Sequence, residues 1–411
     1  MKKSIFTTSV LTFVMLLLLS TFVMAQHIAN PPVFFVRTAW TIFLLFITFM
    51  IFRTGKVSTY RSLFFIIYAF AFILVFIANL MEERGSMALT QEIVQNRDVP
   101  LCPVAIPTLI LPAVLKQTLI FPAKLVGGPY GGFYPIFFMW LVSVLVLGRG
   151  WCSWACFYGG IDEGFSKILR KPLLNTKNMN PKLRYLPFAI LILVVFWAFI
   201  AMEPVYCEWL CPLKLVTEYN EVNSLTTYIQ AIIFITLGMG LLFILPILTK
   251  KRTQCGLFCP LGAFQSVVGK VNPYRVKIDP EKCIGCGKCQ TACPTFSISD
   301  ENLAAREIGI TCTRCGKCME VCPQGAINYS LAGVPFSTND RIFTRKLLSG
   351  NPNLFKRILA KPLHFLEEVL DARTIFIFGA ILFGSIISSG MVTNAILRIY
   401  HLITTGSLLF H

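Results

Sequence analysis

Charged residues are scarce in this sequence. Of its 411 residues only 14% are Asp, Glu, Lys or Arg, and 55% are hydrophobic, whereas soluble domains usually carry about 25% charged residues. The mean hydropathy is +0.68. Because the apolar runs are too long and too poor in charge for the core helices of a soluble fold, this composition excludes an ordinary globular domain and indicates a polytopic membrane protein.

Acidic residues are the scarcer charged group, with 20 Asp and Glu against 37 Lys and Arg, which gives a net charge of +17. In a soluble domain that excess would indicate a nucleic-acid partner. Here the basic residues lie in loops beside apolar runs, as they do in cytoplasmic loops that face anionic lipid. The sequence therefore predicts membrane lipids as a partner and argues against nucleic acid.

Haem and nucleotide motifs are absent. The four histidines lie near chain ends or predicted surfaces, and no C-x-x-C-H occurs, which argues against haem. The sequence also contains neither G-x-G-x-x-G nor a P-loop. Nucleotide binding therefore has no support.

Long apolar stretches dominate what is present. Seven are long enough to cross a bilayer core of about 30 Å. They run approximately over Ser4–Ala25, Val33–Phe52, Leu63–Leu80, Phe133–Leu147, Tyr185–Ala201, Tyr228–Leu248 and Thr374–Val392. The first also resembles a secretory signal, with two lysines before the apolar run and small residues at its end, but its length favours a retained helix.

The basic residues assign a side to each loop. The N-terminus, the loop after the second stretch, residues 149–184 and residues 250–252 are rich in Lys and Arg, which predicts that they are cytoplasmic. Residues 203–225 contain four Glu and one Lys and are predicted to lie outside. The protein is thus expected in a bacterial-type inner membrane, with the part from Cys255 to about Arg373 in the cytoplasm.

Two further segments do not have the pattern of a straight span. Residues 104–125 are apolar but contain three prolines, and with the glycine-rich residues 127–132 they predict a re-entrant or interfacial hairpin on the outer side. Residues 353–370 have a basic amphipathic pattern. That pattern is typical of a helix on the inner leaflet or of one packed on a neighbouring domain.

Two cysteine runs, residues 283–294 and 312–323, follow the bacterial ferredoxin pattern C-x2-C-x2-C-x3-C-P. In this pattern three thiolates hold one [4Fe–4S] cubane and the fourth crosses to the other cubane. The predicted ligands are, for the first cluster, Cys283, Cys286, Cys289 and Cys322, and, for the second, Cys312, Cys315, Cys318 and Cys293. Zinc is the alternative for C-x2-C pairs, but a zinc site has no use for the trailing Cys-Pro. Since neither run lacks a cysteine, the two runs predict an electron relay and not a catalytic cluster.

Six of the other seven cysteines form three C-x3-C pairs, each beside a predicted span. On a helix the residues i and i+4 share a face, so each pair is expected to offer two adjacent thiolates. The loop charges place four of these cysteines at the inner interface as candidate ligands of a further cluster: Cys152, Cys156, Cys255 and Cys259. Redox-active thiols and inert core cysteines are the alternatives.

The remaining cysteines, Cys102, Cys207 and Cys211, are predicted on the outer side. They are candidate ligands of a second extra cluster whose fourth ligand comes from elsewhere. A disulfide between Cys102 and one of the other two is the alternative. Arg37, Lys116 and Lys124 are candidate quinone contacts or, near the interface, snorkelling side chains.

These features predict an α-helical polytopic membrane protein of about seven spans with an inserted cytoplasmic ferredoxin domain of the α+β, bacterial 2[4Fe–4S] type. The predicted parts are an N-terminal membrane region with the outer hairpin (1–128), a membrane core with the C-x3-C pairs (129–270), the ferredoxin domain (271–335), a basic linker with the amphipathic helix (336–372) and a C-terminal span (373–411).

The combination of spans, C-x3-C-P motifs and a twin-cluster ferredoxin over roughly residues 133–330 resembles the NapH-type membrane ferredoxins. It is also similar to the C-terminal half of the NosR/NirI regulators. The resemblance implies electron traffic between the quinone pool, or a cytoplasmic donor, and a membrane or periplasmic acceptor. The sequence departs from the family pattern in four ways. Phe157 follows Cys156 where the family has proline, Cys207 and Cys211 form an additional pair, no extracytoplasmic flavin domain is present, and the N-terminal region through Leu125 and the last span fall outside the match.

The favoured hypothesis is a membrane electron-transfer protein that relays electrons between the ferredoxin domain and the quinone pool or an extracytoplasmic acceptor. It would act as a subunit of a respiratory redox complex with other redox subunits as partners, and not as a stand-alone enzyme. Its expected cofactors are two [4Fe–4S] clusters, with one or two more at the C-x3-C pairs, and quinone is a candidate ligand. The alternative is a redox-sensing regulator or a cofactor-maturation protein.

Overall fold

The computed structural model describes residues 3–84, 88–89, 104, 106–110, 133–176, 179–201, 205–217, 219–331, 365 and 369–410. Cys102, nearly all of the predicted outer hairpin and nearly all of the predicted amphipathic helix at 353–370 lie outside the described residues. The α-helices are α1 (Ile5–Leu19), α2 (Pro31–Thr54), α3 (Val57–Arg84), α4 (Phe133–Val146), α5 (Trp151–Trp154), α6 (Phe157–Phe165), α7 (Leu186–Ala201), α8 (Lys214–Thr217), α9 (Leu225–Leu237), α10 (Leu245–Thr249), α11 (Pro260–Val268), α12 (Lys288–Ala292), α13 (Asp300–Ala304), α14 (Lys317–Val321) and α15 (Ala372–Thr405).

Within the described ranges, six helical segments are long and apolar enough to cross a membrane: Ile5–Met24, Pro31–Thr54, Val57–Glu82, Lys182–Ala201, Leu225–Thr249 and Ala372–Thr405. They coincide with six of the seven predicted stretches, so the membrane character of the chain is confirmed. The remaining stretch forms α4, which has 14 residues and is shorter than the other six. The exact number of spans stays a prediction.

Local sequence signals explain several helix ends. Helix α2 has prolines in its first turn, where a missing N–H costs nothing, and stops at Gly55, whose φ of 74° is the left-handed conformation that favours glycine. Helix α9 begins with a capping box between Ser224 and Thr227. Helices α1, α2, α3 and α15 pack around buried side chains such as Met15, Leu44 and Phe64.

Residues 274–331 form a compact module beside the helices. Strands β3 (Tyr274–Ile278) and β4 (Ile327–Leu331) pair antiparallel, with Tyr274 opposite Leu331 and Ile278 opposite Ile327. The short helices α12, α13 and α14 lie between the two strands in sequence. A second pair of strands, β1 (Ala88–Leu89) and β2 (Tyr219–Asn220), is parallel and lies beyond the far end of α3.

The module sits on one end of the long helices. At the start of α3 the N–H of Thr59 donates to Glu320 at 3.0 Å. Ahead of α7, Arg184 donates to Ser299 at 3.0 Å. The N–H of Arg252, after α10, donates to the carbonyl of Pro294 at 2.8 Å. The basic loops that the charge pattern assigned to the cytoplasm are therefore at the same end of the helices as the module.

Two of the C-x3-C pairs lie on segments that leave this end of the helices, fold back and return to it. Helix α6, in the first segment, lies so close to α3 that a Cβ on Gly160 would be 2.7 Å from the carbonyl oxygen of Phe65. The second segment ends after α11 at Gly269, where a Cβ would be 3.5 Å from the Cα of Gly148. Gly148 lies two residues after the end of α4, and Lys167, after α6, donates to Ser62 near the start of α3. Both segments therefore begin and end near the module.

Helix α3 gives the depth that these segments reach. Its first residue, Val57, touches Gly316 of the module, since a Cβ on that glycine would be 3.2 Å from Val57. Further along, Phe72 stacks on Phe157 with ring centroids 4.0 Å apart. Fifteen residues of helix rise about 22 Å. The turn at Cys156 and Phe157 therefore lies near the middle of α3.

Candidate metal centres

The first ferredoxin cavity is lined by the four cysteines predicted for the first cluster, Cys283, Cys286, Cys289 and Cys322, and encloses about 350 Å³ of space that is partly open to solvent. Gly285 and Gly287, which also line it, have φ of 68° and 69°, so the loop between the cysteines uses a backbone conformation that glycine adopts without strain. Arg306 donates to the sulfur of Cys283 at 2.8 Å. The N–H of Ala326 donates to the sulfur of Cys322 at 3.3 Å.

The second cavity, of about 330 Å³, is lined by the four cysteines predicted for the second cluster, Cys293, Cys312, Cys315 and Cys318. The N–H of Ser297 donates to the sulfur of Cys293 at 3.3 Å. In each cavity the structure thus gathers three cysteines of one run and the last cysteine of the other. This exchange is the arrangement that a pair of cubanes requires.

The two cavities differ in exposure. Cys286 and its neighbour Ile284, which is 65% exposed, place the first cavity at the outer surface of the module. Cys315, beside the second cavity, is buried. Where the first run has Gly285, the second has Arg314 with φ of 51°, and the Arg314 side chain donates to the carbonyl of Leu147 at 2.6 Å. The second cavity therefore faces the membrane helices.

Cys152, Cys156, Cys255 and Cys259 form a third group and are all buried. Cys152, Cys156 and Cys259 pack in one buried cluster. Arg252 links Cys255 to this cluster, because its Nη2 donates to the sulfur of Cys255 at 3.6 Å and to the carbonyl of Cys152. The structure therefore gathers the predicted inner set from its two segments. The set lies deeper than the interface position expected from loop charges, because α5 and α6 fold back into the bundle as far as Phe72.

The expectation that each C-x3-C pair lies on one helix is wrong. Cys156, Cys211 and Cys259 all have extended backbones, with ψ of 120°, 108° and 115°. Cys156 and Cys259 are the N-cap residues of α6 and α11. The backbone N–H groups at the start of the following helix, those of Tyr158 and Gly159 in one case and of Leu261 and Gly262 in the other, lie near these sulfurs. A helix N-terminus favours the thiolate form of cysteine, which is the form that binds metal.

The charges around this group fit an anionic metal centre. Two arginines, Arg149 and Arg252, are buried among the four cysteines. Within the described part of the chain, Nε and Nη2 of Arg149 and both side-chain polar atoms of Gln254 have no hydrogen-bond partner. Metal-bound thiolates are deprotonated and would supply the missing negative charge and acceptors. Among the described residues, no three His, Cys, Asp or Glu side chains are close enough to hold a single metal ion.

The third pair lies next to this group. The sulfur of Cys211 is 3.1 Å from the hydroxyl of Tyr158, two residues after Cys156, and Cys207 packs in the same apolar cluster. The loop charges predicted that the two sets of cysteines lie on opposite sides of the membrane. The structure brings them together because Pro212 and Leu215 fold against Gly238, near the middle of the fifth long helix; a Cβ on Gly238 would be 2.9 Å from the Pro212 carbonyl. Cys102, which was predicted to join this pair, lies outside the described residues.

The four-cysteine group also contacts the module. Arg252 interacts electrostatically with Cys255 and with Cys315 of the second cavity. Arg149 does the same with Cys152 and Cys312. Between them, Nε1 of Trp154 donates to the carbonyl of Arg314 at 3.4 Å. The sequence did not single out these three residues, although the R-x2-C spacing before two of the pairs was a usable signal.

Family comparisons cover both regions. The family described as "4Fe-4S dicluster domain" matches residues 275–323, and the family described as "4Fe-4S binding domain" matches three stretches, residues 132–175, 183–220 and 231–278. Each of the three stretches contains one C-x3-C pair. No solved structure matches this chain.

Relatives are found in archaea and bacteria. An uncharacterised protein of Methanocaldococcus jannaschii is 30% identical over 41% of this chain and 67% of its own length. The methylamine utilization ferredoxin-type protein MauN of Methylobacillus flagellatus is 27% identical over 47% of this chain and 62% of its own length. The ferredoxin-type protein NapH of Haemophilus influenzae is 25% identical over 32% of this chain and 62% of its own length. The chain thus matches less than two thirds of the MauN and NapH relatives.

Proposed function

This chain belongs to the NapH-type family of ferredoxin-type membrane proteins, and from that premise we propose that it conducts electrons between the surface of its ferredoxin module and the interior of the membrane. The observation that carries the proposal is the continuous series of cysteine groups. An exposed cavity is followed by a buried one, and then by the four-cysteine group that reaches the middle of α3. A [4Fe–4S] cluster held in each group would supply one-electron exchange without proton transfer or bond cleavage.

The residues assign a role to each part of the series. Cys283, Cys286, Cys289 and Cys322 hold the centre that meets a soluble redox partner, because Cys286 is exposed. Cys293, Cys312, Cys315 and Cys318 hold the centre that faces the helices. Trp154 and the backbone of Arg314, joined at 3.4 Å, fill the space between the second cavity and the four-cysteine group. Both residues are buried.

At the membrane end the series continues toward Cys207 and Cys211 through Tyr158. A hydrocarbon core of about 30 Å separates the two aqueous phases, and a redox centre near half depth shortens the distance that electrons must cross. The acceptor there, a quinone or another redox subunit, stays a prediction from the sequence. The proposed location is an inner membrane with the module in the cytoplasm, supported by the basic loops at the module end.

Iron content tests the proposal. The purified chain should contain about twelve irons if three cubanes are present and about eight if only the module is loaded. Replacing Cys156 and Cys259 with serine should remove about four irons and leave the two ferredoxin signals in the electron paramagnetic resonance (EPR) spectrum unchanged. Serine at Cys289 and Cys318 is the matched change in the module and should remove the ferredoxin signals instead.

Two results would contradict the proposal. Stoichiometric zinc with iron near zero would exclude the whole series. Eight irons in the parent chain, unchanged in the Cys156 and Cys259 variant, would leave a ferredoxin module without a centre in the membrane. A redox-sensing role would then be the better explanation.

A further inference from the structure

The two segments that supply the four-cysteine group are copies of one pattern. Each has an arginine three residues before the first cysteine and a glycine three residues after the second, which gives R-x2-C-x3-C-x2-G from Arg149 to Gly159 and from Arg252 to Gly262. The helices that follow, α6 and α11, both have nine residues. The group is therefore assembled from two equivalent halves.

Each arginine reaches into the opposite half. Arg252 donates to the carbonyl of Cys152 and, at 2.8 Å, to the hydroxyl of Ser153. A Cβ on Gly159 would be 2.5 Å from its Nη2. Arg149 in turn donates to the hydroxyl of Ser266 on α11, and a Cβ on Gly262 would be 3.4 Å from its Nη2. The two guanidinium groups thus occupy related positions on either side of the cysteines.

Their counter-charges are not equivalent. Arg252 lies 3.8 Å from the carboxylate of Glu163 on α6, which also binds Arg61 at 2.6 Å. Arg252 donates in addition to the sulfur of Cys255 at 3.6 Å. The matching position on α11 is Ser266, which carries no charge. Among the described residues no carboxylate forms a salt bridge with Arg149, although the side chain is 2% exposed and two of its nitrogens have no hydrogen-bond partner. The groups that attract its charge are the sulfurs of Cys152, Cys255, Cys259 and Cys312.

A cation buried without a partner is strongly unfavourable, so a buried arginine requires a nearby anion. We propose that Arg149, which has no carboxylate partner among the described residues, balances the charge of the metal centre held by Cys152, Cys156, Cys255 and Cys259 and raises its reduction potential. Arg252 also contacts this centre at Cys255, but its charge is partly balanced by Glu163. The inference rests on the function proposed above. A fixed positive charge stabilises the reduced, more negative state of a metal centre and so raises its reduction potential. Because Arg149 lies near the sulfurs of Cys152, Cys255 and Cys259, it raises the potential of this centre. Through Cys312 it has a weaker effect on the second ferredoxin centre.

The test is an EPR-monitored redox titration of the full-length protein. The signal of the third centre is identified by its loss in the Cys156 and Cys259 serine variant. Arg149→Gln should move the midpoint of this signal to lower potential, and Arg149→Lys, which keeps the charge, should restore most of the shift. Arg170→Gln is the matched control, because Arg170 is exposed and should change none of the three midpoints.

Loss of the third centre in Arg149→Gln would also support the inference if Arg149→Lys keeps its iron. The positive charge at position 149 would then be what the centre requires. Three results would overturn it. These are an unchanged midpoint in Arg149→Gln with iron retained, loss of iron in both Arg149 variants, and a lysine variant as shifted as the glutamine variant. A parent chain with only eight irons would instead contradict the proposed function itself. That result is distinguishable because it is read before any arginine is changed.

Discussion

At the scale of single residues, the backbone of the second cysteine in each C-x3-C pair sets the geometry. A residue before proline is restricted to extended conformations, which accounts for Cys211 before Pro212 and Cys259 before Pro260. Cys156 precedes Phe157 and still has φ of −87° and ψ of 120°. There the stacking of Phe157 on Phe72 holds the turn. The departure from the family motif at Phe157 therefore leaves the turn conformation unchanged.

Gly159 is packed too tightly to accept a side chain. A Cβ at this position would meet the carbonyl of Cys152 and the Nη2 of Arg252, both of which are fixed by hydrogen bonds. Gly159→Ala should therefore destabilise the protein by about 1–3 kcal/mol and lower the iron content of the third centre. The measurements are thermal unfolding in detergent and iron analysis.

Gly390→Ala is the control for that change. Gly390 lies on the exposed face of α15, where a Cβ would meet nothing within 4 Å. Alanine there should be neutral or should stabilise the helix by about 0.5–1 kcal/mol. Equal effects of the two substitutions would show that Gly159 has no special steric role.

At the scale of elements, the repeated pattern explains why two pairs converge and the third stands beside them. Helices α6 and α11 are alike in length and both follow an extended cysteine. After Cys211 comes α8, which has only four residues, and the position of the repeated glycine is occupied by Lys214. The third segment therefore lacks the nine-residue helix and the glycine that the other two share. It contacts them through Tyr158.

The third pair should matter for electron delivery and not for loading of the module. Serine at both Cys207 and Cys211 should abolish electron transfer from the reduced protein to its acceptor in membranes, while reduction of the ferredoxin centres by a soluble donor continues. Tyr158→Phe keeps the ring but removes the hydroxyl that contacts Cys211 at 3.1 Å, and it should slow the same transfer. A fully active double serine variant, with a disulfide at these positions in the parent protein, would assign the pair a structural role.

At the scale of the whole molecule, one end of the long helices carries both the module and the basic loops. Glu320, Ser299 and Pro294 of the module bond to residues at the ends of three different helices. Buried Lys251 donates to the carbonyl of Cys293 at 2.7 Å. These bonds hold the second cavity against the four-cysteine group, so the relay depends on docking as much as on the cysteines.

The side of the membrane on which the module lies can be measured directly. Because Lys and Arg concentrate in the loops at that end, the positive-inside rule predicts a cytoplasmic module. A reporter fused after Ser330 should be active only in its cytoplasmic form, and a reporter placed between Val222 and Leu225 should show the opposite behaviour. A fusion map with Ser330 outside the cell would contradict the proposed cytoplasmic position of the module.

The membrane class, six of the long helices and the predicted ligand sets of the two ferredoxin clusters can all be read from the sequence alone. Each of these follows from a local rule. Long apolar runs must satisfy their backbone polar groups internally and so form helices, and the C-x2-C-x2-C-x3-C-P spacing fixes which thiolates can reach one cubane. For this reason the structure lines its two cavities with the cysteines read from the spacing.

The depth of the C-x3-C pairs, their neighbours and the different partners of the two arginines could not be read from the sequence and emerge from the packing of the helices. Loop charge reports the side on which a segment starts, but it carries no information about a segment that folds back into the helices. Helical spacing likewise failed at Cys156, because the chain turns there on packing against α3. The contact between Tyr158 and Cys211, and the unequal partners of Arg149 and Arg252, join residues far apart in sequence. Such contacts are set by how the helices pack, and no local pattern specifies them.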